Sequence, residues 1–190
     1  KDRFDNLWKE KATGTVSKWE MDSMCFYYGP HELENVNRKE YDIVNFNEMP
    51  EEPVIADVYY YRNQQKPRFV LNRICGTVLD KDRTKHTVTL LTPDGVCDVK
   101  FYAGAFSYWD KQISQIEADG TKKTLEKSWF SRGNKIMVTG FRRGEQWVAK
   151  KYKDSVYNHS VQLIVDIDEK GNLDLKTDRI EVDSANDVAV

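Results

Sequence analysis

The sequence contains few of the residues that build disulfide frameworks or metal sites. Its three cysteines, Cys25, Cys75 and Cys97, are odd in number and show no paired spacing. They argue against a disulfide scaffold and predict reduced, partly buried thiols in a cytoplasmic protein. The three histidines are scattered and lack the spacing of metal ligands.

Long apolar segments and targeting signals are also missing. No apolar run approaches the roughly 20 residues needed to cross a bilayer, and the amino terminus does not resemble a secretory signal. We therefore expect no contact with a membrane. Because the chain begins at Lys1 rather than Met, we expect it to be a piece of a longer protein.

Motifs of the common catalytic classes are absent as well. The sequence has no glycine-rich phosphate loop and no G-x-S-x-G nucleophile motif. Asp80 and Asp82 are spaced like the carboxylates of a cation site, but their Lys- and Arg-rich surroundings favour local salt bridges instead. We therefore expect no catalytic residue, no metal and no cofactor in this chain.

The charges that are present are unevenly distributed. Residues 60–160 contain 19 Lys and Arg against 10 Asp and Glu, residues 1–59 contain 7 against 13, and residues 161–190 contain 3 against 8. The net charge of −2 therefore conceals a basic centre between two acidic ends. A basic folded unit suits a polyanion, because each neutralised phosphate releases condensed counterions. A solvated, Lys-rich surface is the alternative explanation.

Sequence patterns divide the chain into three segments. We predict a helical and extended linker at residues 1–60, a β-rich domain at 61–160, and a hairpin with a tail at 161–190. The hairpin turns around Lys170-Gly171-Asn172, and the end from Asp178 is expected to fray. With 39% hydrophobic and 12% aromatic residues, the chain has enough apolar surface for a folded core.

The first segment carries the signals of one helix. Ser17 and Glu20 have the spacing of a capping box, which satisfies amides at a helix start, and Gly29-Pro30 ends the helix. Apolar side chains recur at helical spacing, most of them on one face: Trp19, Met24, Phe26 and Tyr27.

The central segment has the element order of a small Greek-key barrel. We predict strands at 69–79, 86–92 and 96–102, a short helix at 105–113, a hairpin around Asp119-Gly120 with a strand-like run at 125–130, and strands at 135–141 and 146–152. Strand, strand, strand, helix, strand, strand is the order of an OB-fold, a five-stranded barrel. The predicted class is thus mainly β with some α.

The ligand of an OB-fold lies across strands 2 and 3, between the loop joining strands 1 and 2 and the loop joining strands 4 and 5. Both loops are basic here, and aromatic residues accompany the cations on strands 3 and 5. Cations that follow a phosphate backbone and rings that stack on bases are what single-stranded DNA requires. The predicted nucleic-acid-binding residues are Lys81, Arg83, Lys85, His86, Lys100, Tyr102, Arg142, Arg143, Trp147, Lys150, Lys151 and Tyr152.

The segment from Glu20 to Leu33 resembles a motif of the bacterial replicative polymerase, the DNA polymerase III alpha subunit. That family carries E-x-E-x-L-G-F-Y-L-S-G-H-P-L, and this chain aligns with it without a gap. The residues that match outright are Glu20, Phe26, Tyr27, His31 and Leu33. Cys25, Pro30 and Glu32 depart from it. The strands around Gly76-Thr77-Val78, 87–101 and 135–140 resemble the family's OB domain.

The resemblance covers roughly residues 18–154 and implies a function in replication. It implies that the OB domain holds single-stranded template near the polymerase site, beside other polymerase domains and replisome proteins. The family's catalytic acids lie in a palm domain that this chain lacks, so we expect the chain itself to be non-catalytic. A module that docks replisome proteins through its acidic ends or Tyr59-Tyr60-Tyr61, and an RNA- or tRNA-binding OB-fold, remain alternatives.

Overall fold

The computed structural model describes residues 16–24, 26–117, 120–153 and 155–181. Cys25 and the tail after residue 181 lie outside the described residues. In the described part, neither helix is long and apolar enough to cross a membrane. The elements are α1 (Val16–Met24), a 3-10 turn (Phe46–Glu48), β1 (Ile55–Tyr61), β2 (Gln64–Phe69), β3 (Asn72–Asp82), β4 (Thr87–Thr92), β5 (Gly95–Lys100), α2 (Ala103–Asp110), β6 (Ile113–Ile116), β7 (Lys122–Glu126), β8 (Lys135–Arg143), β9 (Gln146–Ala149), β10 (Val161–Ile167) and β11 (Leu173–Lys176).

Five strands close into a barrel. β3 pairs with β4 and β8, β4 with β5, and β9 closes the cylinder by pairing with β5 on one side and β8 on the other. The β5–β9 pairing is parallel and the others are antiparallel. With α2 between β5 and β8, this is the connectivity of an OB-fold. The predicted fold class is confirmed.

The barrel closes at Gly140, where β8 changes partners. Gly140 pairs with Asn72 of β3 and with Ala149 of β9. A Cβ atom at this position would lie 2.1 Å from the carbonyl oxygen of Val148 and 2.7 Å from the indole nitrogen of Trp147. Only glycine lets the two backbones approach this closely.

The barrel is filled by apolar side chains that alternate along each strand. Ile74 and Val78 of β3 point inward beside Val138 of β8, as strand periodicity predicts. One end is covered by α2 and by the residues that precede β8, where Trp109 stacks on Trp129 at 4.5 Å. The predicted strand-like run at 125–130 is therefore strand only up to Glu126.

A second, smaller core lies outside the barrel. Cys75 of β3 and Met137 of β8 point away from the barrel interior and pack against apolar residues of the 27–54 segment and of β10. The members of this core are Leu33, Val36, Ile43, Cys75, Met137 and Ile164. Both faces of β3 are thus covered, which explains its run of five buried residues. Burial raises the pKa of the Cys75 thiol to about 12.

The residues that carry the sequence motif anchor the amino-terminal segment to the barrel. The Tyr27 hydroxyl hydrogen-bonds Thr77 Oγ1 at 2.9 Å, and Leu33 is completely buried. His31 accepts a hydrogen bond from the Leu33 amide through Nδ1, so its Nε2–H donates to the Leu91 carbonyl at 2.8 Å. Burial lowers the pKa of His31.

The capping-box prediction was wrong in its role. Ser17 lies inside α1, and its hydroxyl donates to the Pro30 carbonyl at 3.0 Å. The Glu20 carboxylate accepts from the amides of Tyr28 and Gly29 at 3.0 Å each. Both side chains bind the chain that follows the helix. Helix α1 ends at Met24, before the predicted stop.

The hairpins predicted around Asp119-Gly120 and Lys170-Gly171-Asn172 are present as β6–β7 and β10–β11, and Asp119 itself lies outside the described residues. β10 pairs with β8 and so extends the barrel sheet. The Gly171 carbonyl accepts from the Asn37 amide at 2.9 Å, which ties the β10–β11 turn to the amino-terminal segment.

Arg179 corrects the expectation that the chain frays from Asp178. Its side chain is only 2% exposed, pairs with Glu126 at 3.0 Å, and donates to the Tyr108 carbonyl at 2.8 Å. Burial raises the pKa of Glu126, but hydrogen bonds from Lys176, Trp129 and Arg179 outweigh it and hold the pKa at about 2. This network clamps the end of β11 onto β7 and α2.

Replacing Gly140 by alanine tests the closure of the barrel. We expect Gly140→Ala to lower the free energy of unfolding by at least about 3 kcal/mol, because a backbone carbonyl cannot yield to the added methyl as a side chain can. The matched control is Gly104→Ala in α2, where an added Cβ meets nothing within 4 Å and stabilises by about 0.5–1 kcal/mol. Urea denaturation measures the free energy of unfolding of both variants. Equal changes in the two variants would contradict the close contact between Gly140 and the Val148 carbonyl.

Replacing Glu126 by glutamine tests the clamp. We expect a loss of about 3 kcal/mol at pH 7, because Arg179 is left buried without its counter-charge. The folded pKa of about 2 lies below the ordinary 4.5. The difference in free energy of unfolding between wild type and Glu126→Gln is therefore fully present above pH 4.5 and disappears as the pH falls towards 2.

The control for the clamp is Glu117→Gln. Glu117 pairs with Lys123 at 3.2 Å, but both side chains are exposed, so we expect a change below about 1 kcal/mol. Urea denaturation between pH 2 and pH 7 distinguishes the two. A pH-independent difference between wild type and Glu126→Gln would refute the ionic account.

Candidate nucleic-acid interface

An open groove of about 280 Å³ lies on the barrel where β5 ends beside β9. Register places Lys100 of β5 next to Val148 of β9, and the β8–β9 turn brings Arg143 and Gln146 to the same groove. Val99 is fully buried, so the alternation of β5 turns Lys100 outward, as predicted. Tyr102 follows at the start of α2 and is 63% exposed.

Cations and aromatic rings alternate beside the groove, starting from Tyr102 in its lining. The Lys150 ammonium lies 5.6 Å from the centre of the Tyr102 ring and 5.9 Å from that of Tyr152. Arg68 of β2 lies over the same Tyr152 ring at 4.5 Å. The cation–π contacts hold the Lys150 ammonium in place, and its N–H groups can donate to a phosphate.

Arg143 and Tyr152 connect the groove to the end of β2. The Arg143 guanidinium lies over the rings of Phe69 and Phe141, at 5.8 and 5.4 Å, with its side chain exposed. The Tyr152 hydroxyl accepts a hydrogen bond from the Phe69 amide at 2.9 Å. Lys151 is exposed beside Lys150.

The cations at the end of β3 and in the loop that follows it differ in exposure. Lys81 and Arg83 both pair with Asp110 of α2, and Lys81 is only 24% exposed. Burial raises the pKa of Asp110, but hydrogen bonds from Lys81, Ser128 and Arg83 outweigh it and hold the pKa below its usual range. Lys81 therefore serves the fold, while the side chain of Arg83 remains 73% exposed.

Lys85 and His86 lie where the β3–β4 loop meets β5. The Lys100 ammonium donates to the Lys85 carbonyl, which joins the loop to the groove, and the Lys85 side chain is 77% exposed. His86 has a left-handed backbone with φ of 53°. Its ring packs against Phe106 at 5.5 Å and lines a separate open depression of about 420 Å³ with Arg83 and Lys111.

Two of the predicted residues are turned into the protein. Arg142 donates to the carbonyls of Met49 and Gly144 at 2.8 Å each, lies over the Phe46 ring at 4.6 Å, and is 10% exposed. Trp147, its register partner on β9, is completely buried. Neither side chain is available to a ligand: Arg142 fastens the 46–49 segment to the barrel, and Trp147 fills it.

Sequence reasoning missed the hairpin of β1 and β2 as part of this surface. Every residue of β1 is exposed, including Tyr59, Tyr60 and Tyr61. Arg62 and Lys66 lie over the Tyr61 ring at 5.4 and 5.0 Å. The signal in the sequence was three consecutive tyrosines followed by three cations within seven residues.

The described residues offer no sign of a metal centre. In the ranges 16–24, 26–117, 120–153 and 155–181, no group of three or more His, Cys, Asp or Glu side chains is placed to hold a metal ion. Asp82 instead accepts from the amides of Thr84 and Lys85 at 2.9 Å each. The hydrogen bond from the Lys85 amide is the largest cause of the lowered pKa of Asp82, and the one from the Thr84 amide adds to it.

Comparison with known proteins identifies homologues over most of the chain. No family model matches, and no solved structure matches. The chain is 47% identical over 175 residues to the probable DNA polymerase YorL of Bacillus subtilis (strain 168), and equally to the DNA-directed DNA polymerase of Bacillus phage SPbeta. The match covers 92% of this chain but only 13% of each relative. The chain is thus homologous to a segment of two much longer proteins that are named DNA polymerases.

Proposed function

We propose that this chain is a non-catalytic, single-stranded-DNA-binding OB module of a replicative DNA polymerase. The observation that carries the proposal is the open groove lined by Lys100, Tyr102 and Arg143. Lys150 lies at its edge, within 5.6 Å of the centre of the Tyr102 ring and 5.9 Å of that of Tyr152. The cations attract the phosphate backbone, and the exposed Tyr102 ring stacks on a base.

The groove suits an unpaired strand better than a duplex. Stacking on a ring requires a base whose face is accessible, which a strand in a duplex does not offer. Each stacked base contributes about 1–3 kcal/mol and requires no particular base. Template held next to a polymerase must be bound irrespective of its sequence, so this mode of binding fits that role.

The place of the module in a larger enzyme rests on two further arguments. The relatives are named DNA polymerases, and the motif from Glu20 to Leu33 resembles that of the DNA polymerase III alpha subunit. We infer that the module acts in replication in the cytoplasm, beside other polymerase domains and replisome proteins. The motif's role in this chain is to dock the amino-terminal segment on β3 and β4 through Tyr27 and His31.

A second candidate function is contact with another protein domain. The apolar side chains on and just after α1 do not form a buried helical face. Their exposed fractions are 38% for Trp19, 44% for Met24, 52% for Phe26 and 87% for Tyr28. Large exposed apolar and aromatic side chains so close together in the sequence favour a protein partner. Its test is Phe26→Ser with Tyr28→Ser. DNA affinity is expected to stay unchanged, while association with the remainder of the polymerase is lost.

Titration of labelled oligo-dT, followed by fluorescence anisotropy, tests DNA binding. We expect Tyr102→Ala to weaken binding by about 1–3 kcal/mol, because one stacking ring is lost. We expect Lys100→Ala with Arg143→Ala to reduce the slope of log K against log salt by about 0.7 for each lost phosphate contact. Binding of matched oligo-U in preference to oligo-dT would select the RNA alternative instead.

The neighbouring arginines supply a matched pair of variants. Arg143→Ala should weaken DNA binding and leave the free energy of unfolding within about 0.5 kcal/mol. Arg142→Ala should cost about 2 kcal/mol of stability, because charge-assisted hydrogen bonds to partly buried carbonyls are lost. At a temperature where it stays folded, it should bind DNA like the wild type. If Arg142→Ala weakened DNA binding and Arg143→Ala did not, the proposed binding surface would be wrong.

A further inference from the structure

The β1–β2 hairpin projects from the barrel with rings exposed on both faces. It forms a two-stranded sheet of its own, and its three consecutive tyrosines are 43%, 77% and 50% exposed at Tyr59, Tyr60 and Tyr61. Isolated two-stranded hairpins are marginally stable in water. Three rings left in solvent on such an element indicate a surface that is covered when the protein acts.

Strand register sorts the hairpin into two faces of different chemistry. Tyr61 lies opposite Gln64, Tyr59 opposite Lys66, and Asp57 opposite Arg68. Because side chains alternate along a strand, these six share one face, which holds two rings and two cations. The other face carries Val58, Tyr60, Gln65 and Pro67. The 55–69 segment contains three cations and one acid, Asp57.

The face with Tyr59, Tyr61, Lys66 and Arg68 is continuous with the groove. Lys66 lies over the Tyr61 ring at 5.0 Å, and Arg68 lies over the Tyr152 ring at 4.5 Å. Tyr152 in turn contacts Lys150, which contacts Tyr102. The Tyr152–Phe69 hydrogen bond fixes the base of the hairpin to the groove. Cations paired with rings therefore extend from Tyr61 and Lys66, through Arg68 on the same face of the hairpin, to Tyr152, Lys150 and Tyr102.

We propose that this face of the hairpin binds single-stranded DNA as an extension of the groove. The inference rests on the proposed function of the groove and names a further part of its ligand path. Six residues of β2 span about 20 Å at 3.3 Å per residue, so the hairpin adds room for several nucleotides. The strand lies across Tyr59 and Tyr61, and Lys66 pairs with a phosphate.

The chemistry of the face favours DNA over a protein partner. The centre of a protein interface is depleted of charge, and lysine in particular is under-represented there. Here each cation accompanies a ring, and Lys66 lies directly opposite Tyr59 in the middle of the hairpin. Rings interleaved with cations are the arrangement that non-specific binding of single strands uses.

The test compares the whole chain and its variants on short and long oligo-dT. A short strand fills the groove alone, whereas a long one also reaches the hairpin. We expect Tyr59→Ala/Tyr61→Ala/Lys66→Ala to weaken binding of the long strand about tenfold or more and to leave the short strand unaffected. The control, Tyr60→Ala/Gln65→Ala on the other face, should bind both lengths like the wild type.

Failure of the extension and failure of the groove give different results. If Lys100→Ala/Arg143→Ala weakens both lengths but the hairpin variant weakens neither, the extension is refuted and the groove stands. If the groove variant weakens neither length, the proposed function itself fails. A hairpin variant that weakens both lengths equally also refutes the extension, because the effect then passes through the barrel.

Photocross-linking of the unaltered protein guards against a hairpin that misfolds when substituted. Oligo-dT carrying bromodeoxyuridine near one end is irradiated, and cross-linked peptides are identified by mass spectrometry. The extension predicts cross-links at Tyr59 or Tyr61 with the long strand. Cross-links confined to Tyr102 and Tyr152 with every length would overturn it.

Discussion

The closure of the barrel at Gly140 is the constraint on which the rest of the structure depends. A backbone carbonyl of β9 occupies the space that a side chain would need. The close approach lets β8 pass from β3 to β9 and lets β9 reach β5 in parallel. That parallel pairing sets Lys100 beside Val148 and brings the β8–β9 turn to the same edge. The groove is therefore a consequence of barrel closure.

Local acceptors decide what each cation does. Arg142 and Arg143 are adjacent, but a strand turns neighbouring side chains to opposite sides. One meets the carbonyls of the 46–49 segment and becomes part of the fold, while the other lies exposed over two rings. Asp110 likewise binds Lys81 into the structure. The uneven distribution of charge along the sequence shows which segment is basic. Only the acceptors around each side chain show whether a cation is available to a ligand or is bound within the fold.

Strand periodicity and turn chemistry predict the barrel because both are local properties. Gly95 and Gly171 occupy the left-handed backbone that their turns require, and Val99 and Lys100 alternate in burial as expected. The misread parts depend on distant contacts. Glu20 has the spacing of a cap, but the Tyr28 and Gly29 amides fold back to it. Trp147 is completely buried in a core that includes Phe46, about a hundred residues earlier. The pairing of β9 with both β5 and β8 encloses it, and no local pattern shows that pairing.

The most direct measurement is the NMR footprint of oligo-dT on the 15N-labelled chain, which at 22.2 kDa is within reach of the method. We expect the largest amide shifts at Lys100, Tyr102, Arg143, Lys150 and Tyr152, with little change at the β10–β11 turn around Gly171. Shifts concentrated at Gly171, or no shifts at low salt, would contradict this expectation.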